Sequence, residues 1–209
     1  MSDSCEPQLH TGHAGMMCTW MPKLRPVQRR VKMLAVLVGV TAVSGAFVAG
    51  RQAGFAFNTF PLMEGRVIPE GYMELRPVYR NFFESVPSVQ LHHRALAITT
   101  LASVSALWVQ VQRMPLPPQL RLATDVLLLA VYGQLTLGVV TLINCVPVHL
   151  GSAHQAGALT LFSVVLFAMH SCRVPYAGRM AARSWERVAS GHGMPAARAM
   201  LQSRTPRRV

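Results

Sequence analysis

Met33 to Gly50 carries no charged side chain, and neither does Ala95 to Gln112. Two further stretches are nearly as bare: about Leu120 to Ile143 holds only Arg121 and Asp125, and Ser152 to Cys172 holds none. At about 1.5 Å per helical residue, runs of this length match a hydrocarbon core about 30 Å thick. A backbone in lipid has no water to bond, so each run has to fold as a helix. The sequence therefore predicts an all-α membrane protein, a four-transmembrane-helix up-down bundle. Charge content agrees: 13% of the residues are charged and 51% are hydrophobic, against about 25% charged in a soluble domain.

The net charge of +12 could suggest a nucleic-acid partner. Its distribution argues otherwise. Lys23, Arg25, Arg29, Arg30 and Lys32 precede the first span, Arg113 sits between the second and third, and eight Arg with one Glu follow the fourth. The segment between the first two spans is balanced, with four Arg and four Glu, and the one between the last two has no charge. Lys and Arg near span ends mark the negative side of a membrane. Both termini and the Arg113 turn are thus expected on that side, with membrane lipid as the surrounding partner and no nucleic acid. Cys5, Cys18, Cys145 and Cys172 form no CxxC pair, which speaks against zinc or a redox motif. The first 22 residues include Asp3 and Glu6 but no Lys or Arg, unlike a transit peptide or a signal peptide.

Three regions follow: a polar and basic flank over 1–32, a membrane domain over 33–172, and a basic, partly disordered tail over 173–209 with room for a surface-lying helix. Spans are expected at Met33–Gly50, Val89–Val111, Leu120–Ile143 and Ser152–Cys172. Residues 51–91 form a long loop, too aromatic for a linker (Phe55, Phe57, Phe60, Tyr72, Tyr79, Phe82, Phe83). Loops of that length are usually functional. This one is expected to fold over the outer membrane face, with a short helix near Val78–Val86. Small residues in the first span (Gly39, Ser44, Gly45, Ala46) suit close helix contact, within the chain or between copies.

Two histidines stand at matched places. His93 opens the second span and His154 the fourth, and in an up-down bundle these spans are parallel and diagonal. Two neutral imidazoles at similar depth, across a gap wide enough for a flat macrocycle, suit the two axial positions of a haem iron. The competing account is a pair of interfacial histidines reaching water or a carbonyl. His92 competes with His93, since neighbours on a helix point about 100° apart. His149 is a weaker candidate, and His170 belongs to the opposite face. Arg94 could pair with a haem propionate or simply snorkel to the interface. Gln134 is a mid-membrane polar group suited to an interhelical hydrogen bond. Asp125 is expected to pair with Arg121, four residues earlier.

The motifs also resemble a known family. Gly45-Ala46-Phe47-Val48-Ala49-Gly50, Ala53-Gly54-Phe55-Ala56-Phe57-Asn58-Thr59-Phe60-Pro61-Leu62-Met63, Arg80-Asn81-Phe82-Phe83-Glu84, Val89-Gln90-Leu91-His92-His93-Arg94, Gln134-Leu135-Thr136-Leu137-Gly138 and His154-Gln155-Ala156-Gly157-Ala158-Leu159 follow, in order, those of haem A synthase. The resemblance covers about residues 33–172 and implies half of an eight-helix pseudo-repeat, the second of two similar four-helix halves. It implies an oxidoreductase that turns the methyl group of substrate haem O into the formyl group of haem A for cytochrome c oxidase. It puts a haem b cofactor in the half represented here, with His93 and His154 as the axial ligands of its iron. His92 falls where the family usually has another polar residue, which favours His93. Substrate turnover is implied mainly for the other half, so a complementary N-terminal half, or another copy, is an expected partner. Glu84 stands before His93 as an acid stands before a histidine in that other half, which makes it a weak catalytic candidate. The resemblance implies a mitochondrial inner membrane, termini in the matrix, with a bacterial plasma membrane as the alternative. A different class of function stays open: a non-catalytic bis-histidine haem b protein acting in electron transfer or oxidase assembly.

Overall fold

The structure is a computed structural model that describes residues 11–172, with side chains from Leu24 onward. Lys23–Cys172 form one compact unit. The tail over 173–209, expected to be basic and partly disordered, lies outside the described residues.

Four long helices follow in order: α1 (Thr11–Gly50), α2 (Val86–Gln112), α3 (Pro118–Ile143) and α4 (Val148–Ser171). Each contains a stretch long and apolar enough to cross a membrane, Leu24–Gly50 in the case of α1. The protein is a multi-pass membrane protein. Among the described residues the only β pairing is an isolated bridge, Met63 with Arg66.

The first span starts earlier than its charge pattern suggests, because charge marks only one face of a helix. Leu24, Val27, Val31, Leu34 and Val38 are buried at alternating spacings of three and four, the seam of knobs-into-holes packing. Arg25, Arg29, Arg30 and Lys32 occupy the other sides of the same turns. The apolar stretch and its buried seam therefore begin at Leu24, ahead of Met33.

The other helices carry the same seam at the same end of the bundle: Thr100, Val104, Leu107 and Val111 in α2, Leu120, Ala123, Leu127 and Val131 in α3, and Leu161, Val165 and Ala168 in α4. All these residues lie in the halves of the helices nearest the Arg113 turn. In the opposite halves, the only fully buried apolar residue of the spans is Val89. The bundle is therefore packed most closely at the end that carries the Arg113 turn, and its opposite end buries few apolar side chains.

Polar bridges and small residues set the helix pairings. Thr41 Oγ1 and Thr100 Oγ1 share a hydrogen bond of 3.0 Å between α1 and α2, and Arg30 donates to Gln110 Oε1 further in. At Gly39 a Cβ would come within 3.5 Å of Phe162 Cε2, so α1 also meets α4. The glycines of the first span thus serve packing inside the chain. Asp125 does not pair with Arg121. It accepts from Trp108 Nε1 and Gln112 Nε2 at 2.7 Å each, while Arg121 donates to Met114 O at 2.8 Å. Asp125 thus satisfies two donors of α2, and Arg121 satisfies a carbonyl of the turn between α2 and α3, where buried polar groups left unpaired would be costly.

Helix ends follow ordinary rules. Ser85 caps α2, with Pro87 in its first turn, and Pro118 opens α3, positions where a missing N–H costs nothing. After α3, Val146 N donates to Thr141 O at 2.9 Å and Cys145 N to Leu142 O at 3.1 Å, a Schellman closure. Here Cys145 takes the left-handed position normally given to glycine (φ 58°), and Val146 follows at φ 52°. Val146 leans on Gly54 of the outer loop, where a Cβ would come within 2.7 Å of its Cγ2.

The outer loop is ordered by its side chains. Asn81 is wholly buried. Its Nδ2 donates to Leu75 O and Val78 O, and its Oδ1 accepts from Leu75 N. The short helix expected near Val78–Val86 is a 3₁₀ turn, Val78–Phe82. Asn58 Nδ2 ties the loop to α3 through Leu142 O at 3.1 Å.

Two outcomes follow. Cys145→Gly should raise stability by about 1 kcal/mol, because left-handed backbone costs an L-residue about that much; thermal unfolding in detergent measures it. Asn81→Ala strips several buried hydrogen bonds, each unmet partner costing about 1–3 kcal/mol. It should make the 51–85 loop cleavable by protease while the four helices survive.

Candidate functional site

His93 and His154 lie toward the end of the bundle away from the Arg113 turn. His93 comes about two turns into α2 and His154 slightly less than two turns into α4, which gives them matching depth in two parallel helices. Both histidines therefore stand near the same end of the bundle.

Each ring rests on a glycine of the preceding helix. A Cβ at Gly45 of α1 would come within 3.0 Å of His93 Cε1, and one at Gly138 of α3 within 2.7 Å of His154 Cε1. Each ring is also held through Nδ1. His93 Nδ1 lies 2.8 Å from Ser44 Oγ, and His154 Nδ1 lies 3.1 Å from Gln134 Nε2. Among the described residues neither Nε2 has a hydrogen-bond partner. Ring position is fixed on one side and the other nitrogen is left over.

The donor set can be tested against a metal. No group of three or more His, Cys, Asp or Glu side chains is gathered among the described residues, so a bare ion would lack ligands. Two imidazoles fit a macrocycle that brings its own four nitrogens and needs axial donors only. The glycine seats let both rings approach, and an Nδ1 contact fixes the place of each ring.

The remaining candidates fall elsewhere. His92 turns to the loop: its ring stacks on Phe82 with centroids 4.9 Å apart, and Nε2 lies 3.3 Å from Tyr72 Oη. His149 and His170 are exposed at opposite ends of α4. Arg94 donates to Phe57 O at 3.0 Å and more weakly to Pro61 O and Leu62 O. Its Nε is buried without a partner. Gln90 Nε2 donates to the same Phe57 carbonyl at 2.9 Å, so the loop is pinned over the start of α2.

Glu84 forms an ion pair with Arg80 at 2.6 Å. The hydrogen bond from the Arg80 guanidinium, ahead of its charge, holds the carboxyl below the usual carboxylate range. Glu84 is therefore ionised at neutral pH, and its Oε2 is already accepting. Its carbonyl receives Arg51 Nε and NH2, and Phe83 beside it meets Phe47 edge-on at 5.1 Å. These contacts join the loop to the end of α1.

Sequence reasoning missed Ser44, Gly45 and Gly138 as parts of the site. Small residues in membrane helices are common, and only the fold shows which of them faces a histidine. Gln134 was picked out for an interhelical bond, but its partner was legible only once α3 and α4 were paired.

Comparison with known proteins agrees with this geometry. Residues 9–166 match the family of the cytochrome oxidase assembly protein, COX15-CtaA. "Heme A synthase COX15" of Arabidopsis thaliana is 46% identical over 158 residues, which cover 75% of this chain and 34% of that protein. "Heme A synthase" of Nitrosospira multiformis is 46% identical over 141 residues, 68% of this chain and 40% of that protein. The human "Heme A synthase COX15" is 40% identical over 151 residues, 72% of this chain and 37% of that one. The chain thus spans about two fifths or less of these relatives' length, and no solved structure matches it. With the family matched across all four spans up to residue 166, this chain belongs to the COX15-CtaA family of cytochrome oxidase assembly proteins.

Proposed function

We propose that this chain is the cofactor-binding half of a haem A synthase, an oxidoreductase of haem A biosynthesis that converts the methyl group of haem O to a formyl group. The observation that carries the reading is the pair of imidazoles at matching depth in parallel helices, each seated on a glycine of the preceding helix and held through Nδ1. The names of the relatives support the reaction class. His93 and His154 would hold the iron of haem b as axial ligands. Held by these two residues, haem iron would supply one-electron transfer.

The chain's own residues then have defined work. Gly45 and Gly138 let the rings approach, and Ser44 and Gln134 orient them. Arg94 and Gln90 hold the outer loop across the opening, keeping bulk water from the site. Arg94 keeps one buried donor, Nε, for a propionate. Glu84 serves the loop as an ionised acceptor, and the oxidation of substrate is assigned to a complementary half.

For location we infer the mitochondrial inner membrane, or the plasma membrane if the source is bacterial. The Lys23–Lys32 flank, Arg113 and the residues after Cys172 would face the matrix or cytoplasm.

The test is a reduced-minus-oxidised spectrum of the purified chain with its haem extracted and identified. Low-spin haem b is expected, with haem A formed only when the complementary half is co-produced. Haem O and haem A in the chain alone would move catalysis into this half, and no haem at all would sink the reading. His93→Ala and His154→Ala should each abolish the low-spin spectrum while membrane insertion is retained; an unchanged spectrum overturns the ligand assignment. Gly138→Ala should act like a mild His154 variant, with a mixed-spin spectrum, because its methyl displaces that ring.

A further inference from the structure

The two histidines are held by chemically opposite partners. Ser44 Oγ donates its proton to Thr41 O at 2.7 Å. With that proton on the carbonyl, the hydroxyl accepts in the 2.8 Å contact with His93. That arrangement puts a proton on His93 Nδ1 and the lone pair of its neutral ring on Nε2.

His154 is set the other way. Gln134 Nε2 lies 2.8 Å from His154 O. A backbone carbonyl only accepts, so this contact fixes which end of the amide is the NH₂ group; a flipped amide would place two acceptors together. The same NH₂ lies 3.1 Å from His154 Nδ1, which must then accept. The amide oxygen is lodged against Gly157, which has no Cβ to exclude it. His154 is therefore protonated on Nε2, the nitrogen that would have to bind iron.

We propose that Ser44 and Gln134 are positioning residues that make the two ligands unequal, with His93 a fixed ligand and His154 an exchangeable one. Coordination by His154 requires its proton on Nδ1, and that N–H would then point at the NH₂ of Gln134. Binding at His154 thus breaks the Gln134 contacts, and release restores them. The proposal rests on the haem reading above and adds to it a coordination site that can open on the α4 side. A small diatomic or imidazole-like ligand would enter there.

The experiment uses the full haem-loaded chain, reduced with dithionite and titrated with carbon monoxide, together with its reduction potential. Wild type should bind carbon monoxide in exchange for His154. Gln134→Glu supplies an acceptor for Nδ1–H, and Gln134→Leu removes the opposing NH₂. Both should bind carbon monoxide about tenfold or more weakly, the usual scale for a partner behind a ligand. The glutamate variant should also lower the potential, since a more basic imidazole favours the oxidised iron. Ser44→Ala should lose haem on dilution about tenfold more readily, and Ser44→Thr should restore retention.

If Gln134 were only a packing residue, its removal would loosen His154 and strengthen carbon monoxide binding. That result, or no change in either Gln134 variant, overturns the proposal. A wild-type chain that retains haem but never takes up carbon monoxide overturns it too. A chain that holds no haem at all fails the earlier reading instead.

Discussion

The closed inner end of the bundle is the constraint on which the rest depends. Lipid tails are as apolar as leucine, so burial gives membrane helices little reason to associate, and shape has to hold them. Here the alternating seam of Val27, Val31, Leu34 and Val38 with its counterparts in α2, α3 and α4 provides that fit. Once the helices are fixed there, their other halves bury few apolar side chains. Contact there comes from something other than apolar packing: a glycine against an imidazole, a hydroxyl or an amide behind it.

The outer loop belongs to the same logic. A segment of this length would ordinarily expose many backbone groups, and near lipid those groups are costly. Asn58, Asn81, Gln90, Arg51 and Arg94 all direct side-chain donors onto carbonyls of the loop or of the helix ends beside it. Cations that charge patterning marks as membrane anchors are in part structural donors here. The strained Cys145–Val146 turn presses on Gly54 from the other side, so the loop is clasped between α2 and the α3–α4 connection.

Much of this was legible in the sequence, and the reasons for the rest are physical. Uncharged runs report spans because the membrane imposes one length and one polarity on them. The same rule misjudged the start of α1, where basic residues share turns with Leu24, Val27 and Val31, because charge density ignores which face a residue occupies. The histidine pair was visible from order and spacing, since parallel helices carry their N-terminal turns to the same side. The supports of that pair were not, because they depend on rotation about each helix axis. Asp125 shows the same limit: local spacing favoured Arg121, but the packed neighbour offered Trp108 and Gln112. Gln134 was singled out as a polar group in mid-membrane, and its bearing on His154 appeared only with the atoms in place.

A pair of ligands contained in a single four-helix unit has a consequence for how such a chain can work. Both imidazoles, both glycine seats and both Nδ1 partners come from Leu24–Cys172, so the unit needs no second chain to assemble the donor set. What it lacks, on the haem reading, is an assigned acid or base for substrate. Glu84 is tied up by Arg80, and His92 is stacked into the loop. Among the described residues, both of these groups are committed to the loop. A complementary half would then be expected to dock without rebuilding the ligand pair. The surface it meets would be an intact bundle, closed at the inner end by its own seam and at the outer end by its own loop.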